Sequence, residues 1–168
     1  MKLKIIDDFL SYHHYKELKN LIVFNQNFPL HFQREVSGEK VKRENWDWYA
    51  THTLYHQDHP CSPYTNDICN YFIPKFVKMD IFKSLMRIRV NFYPYTNEIK
   101  EHEPHIDYKF SHHAAIYCLN TCDGFTKIGR DKVDSVANRM YFFDGSVKHN
   151  SSTTTNDAGR YNINFNFL

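Results

Sequence analysis

The amino-acid sequence predicts a mainly β protein with flanking helices, an α+β chain in which helices pack outside a β-barrel or double sheet. Helical periodicity marks two segments of the first half of the chain. From Leu85 onward, apolar and polar residues alternate with the period of a strand, and turn-forming pairs such as Tyr93-Pro94 and Asp144-Gly145 interrupt the pattern. Helices followed by a run of short strands are typical of this class.

The first half of the chain is predicted to hold two helices and a few short strands. Ser11 is a suitable N-cap for the first helix, on which Leu18, Leu21 and Ile22 share one face. The segment over residues 25–63 is aromatic, polar and mostly irregular. The predicted elements are a strand over residues 2–6, a helix over about residues 12–24, one or two strands within residues 46–55, and a helix from Ser62-Pro63 through Phe76.

The second half of the chain is predicted to form a series of strands. Within residues 87–93, polar side chains occupy the odd positions and apolar side chains the even ones, so this strand has two different faces. The Ser/Thr-rich run over residues 151–155 is interpreted as a flexible loop. The predicted strands cover residues 85–93, 114–119, 125–128, 139–143 and 160–168.

Length and charge restrict the class of protein. A chain of 168 residues suits one domain, so residues 1–168 are interpreted as a single domain. The formal net charge is only +2, and the 21 basic residues are scattered rather than clustered, which disfavours a nucleic-acid partner. Neither composition nor pattern predicts an oligomeric state.

Cysteine spacing and the start of the chain favour a cytoplasmic protein. No Cys-x-x-Cys pair occurs among Cys61, Cys69, Cys118 and Cys122, so free thiols in a reducing compartment are expected. Residues 1–8 reach acidic side chains too early for a signal peptide. No apolar run approaches transmembrane length, so no membrane partner is expected.

The sequence His105-Ile106-Asp107 is the first candidate for a metal site. On a strand, residues two positions apart project from the same face, so this imidazole and carboxylate could reach one ion. His149 is the best third ligand because it follows a predicted strand and the Asp144-Gly145 turn. Two histidines and one carboxylate on one side of an ion form the facial triad of non-haem Fe(II) oxygenases.

Arg160 opens the last predicted strand, in which Arg160, Asn162, Asn164 and Asn166 share one face. An unpaired guanidinium is costly to bury, so Arg160 needs an anionic partner. A ligand carboxylate would supply one through a charge-assisted, bidentate pair. The alternative is a structural ion pair with Asp144 or Asp157.

These residues belong to a longer pattern. The second half of the chain resembles the 2-oxoglutarate/Fe(II)-dependent dioxygenase superfamily, and specifically its prolyl 4-hydroxylase-like branch. The matching segments occur in the order of that branch, and the opening residues 6–11 with the helix after them are similar to its N-terminal support. The segments are Asn91-Phe92-Tyr93-Pro94, His105-Ile106-Asp107-Tyr108, Ala115-Ile116-Tyr117-Cys118-Leu119-Asn120 with Gly124-Phe125-Thr126, Asn138-Arg139-Met140-Tyr141-Phe142-Phe143-Asp144 leading to His149, and Arg160-Tyr161-Asn162-Ile163-Asn164-Phe165.

The resemblance implies a double-stranded β-helix, the cupin-like jelly-roll barrel, with residues 1–84 as N-terminal supporting helices and strands and residues 85–168 as the catalytic barrel. It implies Fe(II), 2-oxoglutarate as cosubstrate and O2, with ascorbate as a stimulant. Where relatives place a tyrosine against the 2-oxoglutarate C5 carboxylate, this chain has Cys118. The implied iron ligands are His105, Asp107 and His149, and the implied cosubstrate contacts are Arg160, Tyr93, Thr126 and Asn162.

The resemblance leaves the substrate open. The leading hypothesis is hydroxylation of an unactivated C–H bond with release of succinate and CO2, on a peptidyl side chain such as proline or on a small molecule. An AlkB-like oxidative demethylase of nucleic acids is the alternative suggested by Asn91-Phe92-Tyr93, but Asn166 stands where those enzymes have a second arginine. A non-catalytic, metal-binding barrel is the third hypothesis. His102, His112 and His113 are competing metal-ligand candidates, interpreted as solvent-facing or supporting groups.

Overall fold

The structure, a computed structural model, describes residues 1–34 and 44–168. Its elements follow the predicted order, with both helices in the first half of the chain and only strands in the second. In chain order they are β1 Lys4–Ile6, α1 Tyr12–Ile22, β2 His31–Gln33, β3 Tyr49–His56, β4 His59–Pro60, α2 Thr65–Lys78, β5 Leu85–Pro94, β6 His113–Cys118, β7 Phe125–Ile128, β8 Asp131–Asp134, β9 Met140–Asp144, β10 His149–Ser151 and β11 Gly159–Phe167.

Two antiparallel sheets form the body of the protein. The major sheet has eight strands in the order β1-β9-β6-β11-β5-β3-β2, with β4 paired to β3, and the minor sheet has the order β10-β7-β8. Arg160 of β11 donates hydrogen bonds to Thr126 and to the carbonyl of Phe125 on β7, so the sheets face each other across these residues. The prediction of a mainly β jelly-roll with outer helices is confirmed.

The helices cover the outer face of the major sheet. On α2, Phe72 and Phe76 are fully buried, and their rings lie 4.8 Å and 5.4 Å from the ring of Phe165. Strand β11 alternates as predicted, because Ile163 and Phe165 face this helical core whereas Arg160 and Asn162 face the minor sheet. Alternation therefore separates a structural face from a polar interior face.

Both predicted helices are confirmed, and Ser11 accepts a hydrogen bond from the backbone N–H of His14 as an N-cap. The short strands β2, β4, β8 and β10 were not predicted as strands. Residues 151–154, predicted as part of a flexible loop, are instead buried, with the first of them in β10. The irregular segment predicted over residues 25–63 includes residues 35–43, which lie outside the described residues.

Asn138 attaches the N-terminal segment to the barrel. Its backbone has a φ of 62°, in the left-handed region that asparagine tolerates better than most residues. Its side-chain amide donates to the carbonyl of Leu10, and its oxygen accepts from the N–H of Leu10 and from the hydroxyl of Tyr117. Strand β1 pairs with β9 beside this anchor. The N-terminal segment is thus part of the same sheet as the barrel strands.

The described residues contain no helix with the length and apolarity that a membrane crossing requires.

Candidate metal centre

Backbone pairing brings His105 and His149 together. His149 begins β10, and its N–H and C=O exchange hydrogen bonds of 2.9 Å with the C=O and N–H of His105. Asp107 follows on a bend, so the strand geometry used to argue that the two residues share a face does not apply here. The bridge at His105, followed by the bend at Asp107, turns the side chains of these two residues toward one point.

The three predicted ligands converge. Nε2 of His105 lies 3.8 Å from Oδ1 of Asp107, and Nε2 of His149 lies 3.9 Å from Oδ2 of Asp107. One ligand atom from each residue lies within 4.8 Å of the others, and no other such group of His, Cys, Asp or Glu occurs among the described residues. This spacing suits a single ion bound by two imidazoles and a carboxylate.

The histidine ring nitrogens are arranged as a metal site requires. Nδ1 of His149 lies 2.9 Å from the carbonyl of Val147, so Nδ1 carries the ring proton and Nε2 keeps a free lone pair. Nδ1 of His105 has a weaker contact of 3.4 Å with the carbonyl of Glu103. Nε2 of His149 is buried and has no hydrogen-bond partner in the part of the chain that the structure describes. A cation between this unpaired nitrogen and the carboxylate of Asp107 would satisfy both groups, so these residues fit Fe(II).

Protonation also favours metal binding. Burial lowers the pKa of His105, and the neighbouring His149 lowers it further, which keeps the ring neutral. Burial acts to raise the pKa of Asp107, but the positive charge of Arg87 and hydrogen bonds from Arg87 and Asn166 lower it well below its usual range. Asp107 is therefore an anion over the whole physiological pH range.

Arg87 and Asn166 hold the Asp107 carboxylate in place. Nη2 of Arg87 lies 2.6 Å from Oδ1 of Asp107, and Nδ2 of Asn166 lies 2.9 Å from Oδ2. Nε of Arg87 also donates to the side-chain oxygen of Asn166 at 3.1 Å, which closes a triangle of three side chains. These contacts fix the plane of the carboxylate before an ion binds.

A further histidine supports Asn166. The side-chain nitrogen of Asn166 lies 3.2 Å from Nε2 of His112, whose Nδ1 lies 2.9 Å from the carbonyl of Phe110. A Cβ atom at Gly145 would lie 2.1 Å from Nε2 of His112, so only glycine leaves room for this imidazole. His112 therefore supports the site from behind and is not one of the converging ligands.

Arg160 is fully buried at the far end of the interior. Its Nη1 donates to the carbonyl of Phe125 at 2.9 Å and its Nη2 to the hydroxyl of Thr126 at 2.6 Å. Among residues 1–34 and 44–168 no carboxylate pairs with the guanidinium, and its Nε has no hydrogen-bond partner. Asp144 instead contacts Ser146, and Asp157 contacts Asn120, so the structural ion pair considered as an alternative does not form.

A cavity joins the histidines to the neighbourhood of Arg160. It is lined mostly by polar residues of both sheets. Nδ2 of Asn91 donates to Oδ1 of Asn162 at 3.1 Å, and the ring of Tyr93 lies 5.5 Å from the Arg160 guanidinium. The lining includes every remaining predicted contact: Tyr93, Thr126 and Asn162, together with His105, His149, Asn91, Ile116, Asn150, Ser151 and Asn164.

Sequence reasoning missed three supporting residues. Arg87 was noted only as part of an alternating strand, and Asn166 only for its strand face and for standing where AlkB-like enzymes have an arginine, yet both contact Asp107. Tyr141 was quoted only within a motif, although its hydroxyl donates to Thr126 at 2.7 Å. The alternation of β5, β9 and β11 places these three side chains inward, and this was the signal available.

No family model matches the sequence, and no curated protein matches it. Solved structures do match. A prolyl hydroxylase from Trichoplax adhaerens, in complex with a hypoxia inducible factor oxygen degradation domain peptide fragment, is 15% identical with a TM-score of 0.67, over 98% of this chain and 83% of that one. A 2OG-Fe(II) oxygenase family oxidoreductase from Burkholderia pseudomallei is 10% identical with a TM-score of 0.72, over 98% and 84% of the two chains.

A prolyl-4-hydroxylase from Pseudomonas putida is 15% identical with a TM-score of 0.65, over 98% of this chain and 91% of that one. At such identities the likeness is one of fold, and it extends over nearly the whole chain. The resemblance seen in the motifs is thus confirmed at the level of architecture. This chain has the jelly-roll fold of the prolyl hydroxylases and related 2-oxoglutarate/Fe(II) oxygenases.

Proposed function

We propose that this protein is an Fe(II)- and 2-oxoglutarate-dependent dioxygenase that hydroxylates an unactivated C–H bond on a peptide, with a prolyl side chain as the first candidate. One observation carries the proposal. Three ligand atoms within 4.8 Å of one another open onto a cavity whose far end holds a buried arginine, and no carboxylate of the described residues pairs with it. A metal ion and a dicarboxylate together would satisfy both groups.

His105, Asp107 and His149 would hold the iron. Bound together, Fe(II) and 2-oxoglutarate supply the oxidative chemistry that turns a C–H bond and O2 into a hydroxyl group, with succinate and CO2 as further products. The two imidazoles contribute neutral nitrogen ligands and Asp107 one negative charge, so the set leaves positive charge on the ion for an anionic cosubstrate. Arg87 and Asn166 keep Asp107 ionised and oriented.

Arg160, Thr126, Tyr93 and Asn162 would bind the cosubstrate. Arg160 and Thr126 supply donors for the distant carboxylate, because both lie at the end of the cavity away from the histidines. The ring of Tyr93 covers the guanidinium and separates it from water, which strengthens the charge pair. The Asn162 amide, held by Asn91, borders the space between the two ends.

A surface groove that contacts the cavity wall supports a peptide substrate. Trp46, Trp48 and Tyr95 line this groove together with Pro94. The ring of Trp46 lies 5.6 Å from the ring of His102, which in turn lies 5.4 Å from Tyr93 of the cavity wall. Grooves lined by aromatic rings bind extended, proline-containing segments well. A peptide in this groove could reach the cavity mouth with one side chain.

Anaerobic titration tests the proposed cofactor chemistry. Adding Fe(II) and then 2-oxoglutarate to the purified protein should produce the visible charge-transfer absorption of an Fe(II)–2-oxoglutarate complex. Glutarate, which lacks the 2-oxo group, should produce no such band, and neither should Zn(II) with 2-oxoglutarate. Tight Fe(II) binding without any band from 2-oxoglutarate would favour a non-catalytic metal-binding barrel.

Proline-containing peptides are expected to stimulate succinate formation in air. Trp48→Ala should weaken their effect by roughly five- to thirtyfold in the apparent KM, the effect expected from truncating an aromatic anchor. Phe24→Ala removes an exposed aromatic ring just after α1 that does not line this groove, so it is the control and should behave as the parent protein. Stimulation by free amino acids but by no peptide would move the assignment to a small-molecule hydroxylase.

A further inference from the structure

The hydroxyl of Thr126 has both of its lone pairs occupied. It accepts one hydrogen bond from Nη2 of Arg160 at 2.6 Å and another from the hydroxyl of Tyr141 at 2.7 Å. A threonine hydroxyl has two lone pairs and one proton. Its own proton must therefore be directed elsewhere, and Thr126 borders the cavity whereas Tyr141 lies behind it.

Tyr141 is the donor in its hydrogen bond with Thr126. Tyr141 is fully buried, and Thr126 Oγ1 is the acceptor for its hydroxyl proton. Arg160 Nη2 also approaches the Tyr141 oxygen, at 3.5 Å, and a guanidinium has only donors. Burial raises the pKa of Tyr141 far above its ordinary value, so the phenol keeps its proton. Tyr141 is thus a permanent donor to Thr126.

We propose that Tyr141 is a positioning residue that turns the Thr126 hydroxyl into a donor aimed at the distant carboxylate of the cosubstrate, so that Thr126 and Arg160 recognise a diacid together. This inference rests on the proposed function and deepens it by naming what selects a dicarboxylate. Cys118, on the neighbouring strand β6, lies in the same interior cluster as Tyr141 and donates no comparable hydroxyl. The hydroxyl that orients Thr126 therefore comes from Tyr141 on β9 and not from a residue on β6.

The arrangement predicts that removing the Tyr141 hydroxyl weakens the binding of a dicarboxylate and leaves that of a monocarboxylate unchanged. Tyr141→Phe keeps the ring and removes the donor, so Thr126 becomes free to turn its proton away from the ligand. The affinity for 2-oxoglutarate should fall about tenfold, the loss expected for one hydrogen bond to a charged acceptor. The affinity for 2-oxopentanoate, which has the same 2-oxo acid end but no distant carboxylate, should not change.

The experiment measures anaerobic binding of both 2-oxo acids to the Fe(II) protein by the charge-transfer band, and of Mn(II) by calorimetry. Thr126→Val should reproduce the loss for 2-oxoglutarate, the double variant should lose no more than either single variant, and Thr126→Ser should retain binding. Val133→Ala, in the same interior cluster but apolar, controls for packing and should bind 2-oxoglutarate normally. Mn(II) affinity should be unchanged in every variant.

Two results would overturn the inference. An equal loss for 2-oxoglutarate and 2-oxopentanoate in Tyr141→Phe would mean that the variant disturbs the whole cavity. Unchanged 2-oxoglutarate affinity in Tyr141→Phe, with the parent protein binding normally, would remove Tyr141 from diacid recognition and leave the proposed function intact. Absence of 2-oxoglutarate binding by the parent protein would instead contradict the proposed function itself.

Discussion

Replacing His149 by alanine is expected to remove iron binding and to abolish succinate formation. The substitution removes the Nε2 atom of His149, which is buried and has no hydrogen-bond partner among the described residues. Only His105 and Asp107 are then left to hold the ion. The affinity for Fe(II), or for Mn(II) as a redox-inert probe, should fall by more than about a hundredfold, beyond the range for groups that only orient a ligand. Calorimetric titration under anaerobic conditions measures this directly.

Packing must be separated from metal binding in this test. The ring of His149 lies 5.1 Å from that of Phe143 and is 4% exposed, so alanine leaves a void. His105→Ala is the companion variant, because its side chain is 27% exposed and its loss costs less packing. His59→Ala, on exposed β4, is the matched histidine control and should bind metal normally. Undiminished Mn(II) affinity in folded His105→Ala and His149→Ala proteins would contradict the metal centre.

Replacing Arg160 by methionine is expected to weaken 2-oxoglutarate binding by at least about thirtyfold while leaving the metal centre in place. Removing one partner of a buried charge pair costs about 2–5 kcal/mol in binding, or roughly thirtyfold to several thousandfold in affinity. Methionine fills much of the space that the aliphatic part of the arginine side chain occupies. The side chains around it at this end of the cavity are uncharged. Mn(II) affinity should therefore stay close to that of the parent protein.

Thermal unfolding provides an independent measurement for Arg160. With Mn(II) present, 2-oxoglutarate at about a hundred times its Kd should stabilise the parent protein by about 2.7 kcal/mol, because it binds only the folded state. The stabilisation should fall to about 1 kcal/mol or less in Arg160→Met and persist in Arg139→Met, where the lost arginine pairs with Asp7 near the surface. A ligand-induced stabilisation of normal size in Arg160→Met would assign the carboxylate to another residue.

The outline of the fold could be predicted because it depends on local patterns. Ser11 caps α1 and the alternation of β11 separates a polar from an apolar face, and both features can be seen within a few residues of sequence. Strands β8 and β10 could not be found in this way. They are short and carry no long alternating pattern, and they exist because β7 pairs with both of them.

The three converging residues could be predicted from motif order, but the residues that support them could not. The sequence pattern selected His105, Asp107 and His149, and the structure brings their side chains together. Arg87 reaches Asp107 from β5, and Tyr141 reaches Thr126 from β9. Such contacts join residues far apart in the chain, and only the pairing of strands in the folded sheets determines them.

The pairing of β1 with β9 has a consequence for self-association. A sheet that ended at β9 would present a row of unpaired N–H and C=O groups next to the interior cluster, and such an edge can template the addition of a strand from another molecule. The segment Lys4–Ile6 covers this edge, and the exposed Lys2 and Lys4 place positive charge along the new boundary. Lysine on an edge strand disfavours edge-to-edge stacking, so this boundary is protected against aggregation as long as β1 stays paired.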